Sequence, residues 1–396
     1  MSKHQSKIEK LITKLCPNGV EFKSIGEICQ INRGRVMSKD YLKDNAGDYP
    51  VYSSQTSDNG IFGRINTYDY DGEYLTWTTD GAYAGSIFYR NGKFSITNVC
   101  GLLKAKADNV NIKFLSYILA TVSKKYVSAG MGNPKIMSNV MEKIKIPLPP
   151  LAVQEEIVKI LDTFTTLEAE LEAELEARKK QYEYYINSFY NIKNVDYKPL
   201  GEIGTFIRGK RFVKTDIVED GVPCIHYGEM YTHYNVWAEE TKSFLKPDLA
   251  LRLRTAHYGD VIIVAAGETI EDIGNGVAWL GKSDVVIHDA CFAFNHNLNP
   301  KYVSYFLQTN KFRLQIKGFI SSGKISSINA RGLEKAIIPV PPIEEQEHIV
   351  AILDKFDGLV NDISIGLPAE LSARRQQYEY YRGKLLTFKE KEYAKQ

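Results

Sequence analysis

The string with the clearest chemical suggestion is GFISSGK, Gly318 to Lys324, which satisfies the G-x-x-x-x-G-K part of a phosphate-binding loop. A nucleotide-hydrolysing loop also needs a hydroxyl after the lysine for magnesium, a strand before the first glycine, and a second magnesium ligand from an apolar strand ending in Asp. Here Ile325 stands at the hydroxyl position, the preceding KFRLQIK (Lys311 to Lys317) reads as helix, and no apolar run ending in Asp supplies the second ligand. Hydrolysis is not the expected chemistry.

Other catalytic sets fail in the same way. Asn299-Pro300-Lys301-Tyr302 resembles the Asn-Pro-Pro-aromatic motif of adenine methyltransferases but lacks its second proline and any preceding Gly-rich turn, and reads as a helix cap and first turn. His226, His257 and His288 are dispersed, and Cys224 lies two residues from His226 with no further ligand in range, whereas zinc needs three or four. The five cysteines, Cys16, Cys29, Cys100, Cys224 and Cys291, are odd in number and far apart, and read as reduced thiols. No nucleophile, base and orienter assemble. The chain reads as a recognition protein and not as an enzyme, with no cofactor of its own.

Recognition chemistry, in contrast, recurs. Arg33, Arg35 and Lys39 follow a strand-like run early in the chain, and Arg208, Lys210, Arg211 and Lys214 follow a matching run later. Guanidinium grips phosphate or reads guanine through two hydrogen bonds, while an ammonium mainly adds charge. A second pair of loops carries Lys135 in GMGNPKIMSN (Gly130 to Asn139) and Lys324, Ser326 and Ser327 in SSGKISSIN (Ser321 to Asn329), all potential donors to phosphate. Singly, each is an ordinary solvated group. Their return at matched places in two halves makes them the candidate DNA-contacting residues.

The elements that must position them are written twice. PLPPLAVQEEIVKILDTF (Pro147 to Phe164) returns as PVPPIEEQEHIVAILDKF (Pro339 to Phe356) at an offset of 192, and RKKQYEYY (Arg178 to Tyr185) returns as RRQQYEYY (Arg374 to Tyr381) at 196. VEFKSIGEICQINRGR (Val20 to Arg35) returns as VDYKPLGEIGTFIRGK (Val195 to Lys210) at 175. Repeats of this length govern the fold. The expected order is an N-terminal helix (1–17), a first globular domain (18–146), a helical segment (147–193), a second globular domain (194–338) and a second helical segment (339–396).

Proline fixes its own φ and restricts the residue before it, so PLPP and PVPP must be extended and a helix can start only beyond them. From Phe164 the positions Leu167, Leu171, Leu175, Arg178, Tyr182, Tyr185 and Phe189 follow at spacings of three and four, and Phe356, Leu359, Ile363, Leu367, Leu371, Arg374, Tyr378, Tyr381 and Leu385 repeat the pattern with one more step of four. These are coiled-coil seams that can bury each other as an antiparallel pair. EAEL occurs twice (Glu168 to Leu175), with PAEL at Pro368 to Leu371; one such unit in a helix is worth ~6 Å of translation and ~40° of rotation. Gly366 and Pro368 predict a break, with Gly366 ending one helix and Pro368 in the first turn of the next.

Between the repeats, strand-like runs (Tyr74 to Thr79, Gly85 to Tyr89, Asp260 to Ala265) mix with helical ones (Ile112 to Lys124, Pro300 to Ile316), so the class is α+β. With 44% hydrophobic and 11% aromatic residues the chain is globular and not disordered, and no apolar run approaches the ~20 residues of a membrane span. A signal core is lacking, and a cytoplasmic location is expected. The net charge of +2 hides an acidic first helical segment and a mildly basic first domain, which permits polyanion binding.

Two halves, each a variable domain followed by PLPPL-x-x-Q or PVPPI-x-x-Q, an ILD-x-F run and a QYEYY ending, resemble the specificity subunit of type I restriction-modification systems over essentially the whole chain. The resemblance implies two target recognition domains, each reading one half of a split asymmetric DNA site, with antiparallel helices setting the unread spacer. It implies two modification subunits that bind S-adenosylmethionine and methylate adenine, and restriction subunits that use ATP and magnesium, with none of these cofactors on this chain. It places partner docking on the helical face of Gln154, Ile157, Leu161, Gln346, Ile349 and Leu353, and packs the N-terminal helix against the C-terminal end. A coiled-coil scaffold bearing two domains that do not bind DNA is the alternative.

Overall fold

The computed structural model describes residues 6–128 and 132–392. Gly130, at the start of the first glycine-rich loop, and the outermost residues of both terminal segments lie outside the described residues. The chain divides into two compact units, one running to Glu170 and resuming at Ser372, the other Leu171–Leu371. Both mix sheet and helix, as the α+β reading expects.

In the first unit the repeated VEFK segment forms a strand, Glu21–Ser24, that pairs antiparallel with Lys145–Leu148 at the edge of the PLPP opening. The intervening chain builds a six-stranded sheet in the order Cys29–Arg33, Cys100–Ala105, Tyr70–Thr78, Ile87–Ile96, Ala46–Tyr52, Ile61–Ile65. The strand expected at Gly85 to Tyr89 starts later and runs further. RNGK looks like a turn, yet Gly92 and Gly72 face each other across the ladder at φ of 94° and 119°, a backbone region open to glycine, and the pairing continues through them. A helix, Ile112–Val122, covers the sheet with Phe114, Leu115, Ile118 and Leu119 buried. The N-terminal helix Lys7–Leu15 buries Ile8 in the same core as Leu385 and Leu386. Beside it Val20 N–H donates to Lys389 O and Lys391 N–H to Val20 O, both at 2.9 Å.

The second unit repeats the entry: Asp196–Pro199 pairs antiparallel with Ile337–Val340. Beyond it the fold diverges into two five-stranded sheets, one in the order Gly204–Arg208, Cys291–His296, Val261–Val264, Gly276–Trp279, Trp237–Ala238. The single helix expected over Pro300 to Ile316 is two, Pro300–Gln308 and Asn310–Lys317. Thr309 breaks them: its backbone is extended at ψ 147° and its hydroxyl caps the second helix, accepting from Phe312 N–H at 3.1 Å.

The first spacer helix is continuous over 38 residues, Leu151–Ser188. The second is two helices of 19 residues each, Ile343–Asn361 and Leu367–Leu385, so its helical content equals that of the first. The surplus residues of the second copy are therefore not an added helical step. They form the break at 362–366, where the Asp362 carboxylate accepts from Ser364 N–H at 2.7 Å and turns the chain. The first helix thus ends at Asn361, not at Gly366, and Ile363, expected in the seam, is 84% exposed. Pro368 sits in the first turn of the following helix, where its missing N–H costs nothing.

The seams pair antiparallel within each unit, opening against ending. In the first unit Phe164 stacks on Tyr381 with ring centroids 5.5 Å apart, and Glu168 meets Arg375 at 2.6 Å. In the second unit Phe356 lies 5.1 Å from Tyr185 and Asp357 Oδ1 lies 3.4 Å from Tyr182 Oη. Each copy's ILD-x-F opening therefore packs with the QYEYY ending of the other copy.

Candidate nucleic-acid interface

The motif residues explain how each recognition surface is held. Gln154 is fully buried: its Nε2 donates to Pro149 O at 2.7 Å and Asn109 O at 2.9 Å, and its Oε1 accepts from Asn111 N–H at 2.9 Å. Asn111 caps the helix that covers the sheet. In the second unit Gln346 Nε2 donates to Pro341 O at 2.8 Å and its Oε1 accepts from Asn299 N–H at 2.9 Å, and Asn299 caps the Pro300–Gln308 helix. The aspartate of each ILD run completes the joint. Asp162 receives Lys113 at 2.7 Å and Tyr117 Oη at 2.6 Å; Asp354 receives Lys301 at 2.9 Å and Tyr305 Oη at 2.7 Å. Burial, reinforced by the aspartate, pushes both tyrosine hydroxyls above their ordinary range, so they stay protonated donors.

This arrangement corrects the expected docking face. Gln154, Ile157, Leu161, Gln346, Ile349 and Leu353 are all at most 3% exposed and belong to the cores of their own units. A buried amide that both donates and accepts within its own unit and a core aliphatic present no exposed surface to a partner. The repeat at these positions reflects the joint between helix and domain.

In the second unit Arg208, Arg211, Lys214 and Lys324 line one cleft of about 850 Å³, together with His226 and His288. Two segments more than a hundred residues apart in the chain are thus brought together. Arg208 is partly committed, its Nε donating to Asp289 O at 2.9 Å with the guanidinium 5.7 Å above the Phe292 ring. Lys210 does not line the cleft; its Nζ donates to Arg252 O at 2.9 Å. Ser326 is buried and pairs in register with Gly267, which removes it from the candidate contacts, and Ser327 pairs with Ala266 while its N–H donates to Ser321 O at 3.0 Å. Lys324 enters the cleft from an open loop following the Asn310–Lys317 helix, with no strand before Gly318, so the resemblance to a phosphate-binding loop of hydrolases ends there.

The first unit builds the matching place differently. Arg33 Nη2 lies 3.1 Å from Thr79 Oγ1 and also donates to Asn98 O, the counterpart of Asp289 O before the buried cysteine of the next strand. Asp80 stands 3.9 Å from Arg33 and 3.7 Å from Lys135, so two candidate contacts share one carboxylate. Arg35 lies elsewhere: its Nε is 3.1 Å from Asp69 Oδ2 and its Nη1 3.0 Å from Tyr41 Oη, and these partners, Tyr41 first, hold it in the charged form. Lys39 is exposed in the first turn of the Lys39–Asp44 helix, capped by Ser38.

Sequence reasoning missed the ring cluster of the cleft. Phe212, His226, Tyr227 and His288 stand with centroids 4.7 to 5.9 Å apart. Burial lowers both histidines below their ordinary value; the neighbouring His288 lowers His226 further, while Asp289, 3.0 Å from His288 Nδ1, opposes the shift of His288. The Cys224-x-His226 spacing is the one signal of it in the sequence; among the described residues no His, Cys, Asp and Glu group is placed to hold a metal. All five cysteines are buried, and burial raises Cys29, Cys100, Cys224 and Cys291 to about 12, leaving inert thiols. Among the described residues no helix is long and apolar enough to cross a membrane.

A recognition frame built twice, with the same joints and different basic surfaces, is the class that fold and site define. The family model described as the type I restriction modification DNA specificity domain matches residues 17–177 and again 192–373. A Mycoplasma pneumoniae protein named as a type I specificity subunit, S.MpnORF507P, is 32% identical over 366 residues, 91% of this chain and 96% of its own length. The type I restriction enzyme MpnII specificity subunit of the same organism is 46% identical over 171 residues, 42% of this chain and 52% of its own. In fold the chain is similar to the type I restriction-modification S subunit from M. genitalium, at a TM-score of 0.55 and 14% identity over 93% of this chain and 96% of that one. It is similar also to the HsdS subunit from Thermoanaerobacter tengcongensis, at 0.51 and 16% over 98% and 99%. The chain belongs to the type I restriction-modification DNA specificity family.

Proposed function

We propose that this chain is the sequence-reading subunit of a type I restriction-modification complex in the cytoplasm, each domain contacting one half of a bipartite, asymmetric double-stranded DNA site. The observation that carries the reading is the pairing of one duplicated joint, Gln154 with Asp162 and Gln346 with Asp354, with two unlike basic surfaces. A frame needed twice for stability alone has no reason to present Arg and Lys at matched loops.

In this reading the helices fix the unread spacer, and two modification subunits dock on the outward side of the spacer helices, where Glu155 and Glu347 are exposed at equivalent places. Adenine methylation, with its S-adenosylmethionine, belongs to those partners, whose target must leave the base stack. ATP and magnesium belong to the restriction subunits reached through them. The test is the DNA methylated by the chain with its modification partners. The expected product is one bipartite sequence with adenine methylation, and deletion of Glu168 to Leu171 changes the spacer while both half-sites persist. Methylation without sequence preference at moderate salt would refute the reading, and an altered half-site in the deletion would refute the ruler.

A further inference from the structure

His226 occupies an unusual position in the cleft of the second unit. It is 8% exposed, follows directly on the strand Val222–Ile225, and its backbone N–H donates to Glu229 Oε2 at 2.9 Å. Gly228 N–H donates to its Nδ1 at 3.3 Å, which makes that nitrogen an acceptor and puts the ring proton on Nε2. The ring is wedged between Tyr227 at 4.7 Å and His288 at 4.8 Å. His288 is engaged at both ends: its Nδ1 lies 3.1 Å from Ala290 N–H and 3.0 Å from Asp289 Oδ1, and it hydrogen bonds the backbone of Phe212. Around the pair stand the cations Arg208, Arg211, Lys214 and Lys324. Lys214 and Lys324 add sequence-blind attraction to phosphate, Arg208 and Arg211 can grip phosphate or guanine, and Glu268 and Asp289 also line the cleft; the histidine adds a neutral donor to this charged set.

We infer that His226 is a specificity-determining residue of the second domain, donating from Nε2–H to an acceptor on a base edge, a purine N7 or a base carbonyl oxygen, while the surrounding cations hold the phosphates. The inference rests on the DNA-reading function proposed above. Three features fit a reader better than a core histidine. The tautomer is fixed by a backbone donor, the ring is locked by packing on both sides, and the residue lines an open basic cleft. Burial keeps the imidazole uncharged, so its hydrogen bond discriminates between bases without adding to the salt-dependent attraction. No histidine lies between Gln5 and Ile225, so this device belongs to one half-site alone.

The test separates reading from support by the two ends of the ring. His226→Asn places an amide oxygen near the Nδ1 position and keeps the acceptor for Gly228 N–H while removing the donor at Nε2. His226→Gln returns an amide N–H to the Nε2 position. Each is assembled with the modification partners and assayed for methylation on DNA randomised across both half-sites. His226→Asn is expected to relax the preference at one base pair of one half-site by roughly five- to hundredfold, leaving the other half-site and the salt slope unchanged, and His226→Gln to restore it. An Asn variant with wild-type preference at every position overturns the assignment. So does a uniform loss across all positions in both variants, which would mark a structural residue. A wild-type complex without any bipartite preference would instead overturn the DNA-reading function itself, together with the inference built on it.

Discussion

At the matched place in each unit an arginine leaves the opening strand and donates to a backbone carbonyl two residues ahead of a buried cysteine, Arg33 to Asn98 O and Arg208 to Asp289 O. What surrounds that shared contact is opposite in character. In the first unit the neighbouring bridge joins Asp80 to Lys135, and the carboxylate faces both cations; in the second the corresponding pair is Ala266 with Ser327, neutral and small, and a cleft opens with four cations, two histidines and the acids Glu268 and Asp289 around it. The contact common to both is therefore structural, a clamp on the start of the next strand. The discriminating chemistry lies in the positions that differ. A duplicated gene segment can keep its joints and exchange its reading surface, because the joints are buried and the surface is not.

If the joints are equivalent, breaking either should cost the same. Replacing Gln346 by Ala strands Asn299 N–H and Pro341 O in a site with little water, and Gln154→Ala does the same to Asn111 N–H, Pro149 O and Asn109 O. Each unpaired buried group costs about 1–3 kcal/mol, so each variant should lose roughly 3–5 kcal/mol once lost packing is included. The check is hydrogen exchange of each unit in the intact chain. Loss of protection in the mutated unit by a similar amount in both cases supports equivalence; a large effect in one unit and none in the other would show that the joints only look alike.

Much of this was legible in the sequence, and the reasons are specific. Proline geometry announced where each spacer helix could begin, and the helix does begin at Leu151 and Ile343, directly after the prolines. Arg33 meets Lys135, and Arg208 meets Lys324, because their loops flank matched pairings, Asp80 with Lys135 and Ala266 with Ser327, while Arg35 and Lys210 lie apart. What escaped was partner choice. A glutamine and an aspartate recurring on a helix read equally well as an exposed docking face or a buried joint, because periodicity reports which residues share a face and not what that face meets. Leu359, Ile363 and Leu367 keep the seam spacing and so read as a further helical step of four; the Asp362 turn, a carboxylate accepting from the backbone N–H of Ser364, overrides that spacing locally. The neutral histidines were invisible because their character comes from burial between strands distant in the chain.

The histidines supply a second contrast. Six of the seven lie from His226 onward, and three of these, His226, His288 and His296, are lowered by burial, His296 to about 4. The sign follows from proton uptake. Between the ordinary value near 6.5 and the folded value near 4 the unfolded chain binds a proton that the folded one does not, so stability is lost as pH falls through that window and His296 alone contributes up to about 3 kcal/mol. Hydrogen exchange at pH 7.5 and pH 5 should show the second unit loosening before the first. His296→Asn, which keeps an acceptor for Leu298 N–H, should flatten the dependence. Equal loosening of both units would remove the contrast.

The smallest expected effect bears most directly on why the two basic sites differ. If Asp80 masks Arg33 and Lys135, then Asp80→Asn keeps the shape of the side chain, including an acceptor for Thr79 Oγ1, and frees Lys135 toward phosphate while Arg33 loses its counter-charge but stays bonded to Asn98 O. Each added phosphate contact steepens the dependence of log affinity on log salt by about 0.9, so the slope should steepen by about one unit, with a gain of about 1 kcal/mol in non-specific affinity at low salt, near the upper limit for an exposed ion pair. The reciprocal change, Ala266→Asp, places an acid on the wall of the second cleft and should flatten the slope by a similar amount. Salt titration of DNA binding by the assembled complex measures both. Opposite changes would locate the difference between the half-site readers at this single matched position; a shift for Ala266→Asp alone would mean that the first domain meets DNA elsewhere, with Arg35 and Lys39 as the remaining basic residues of its opening loop.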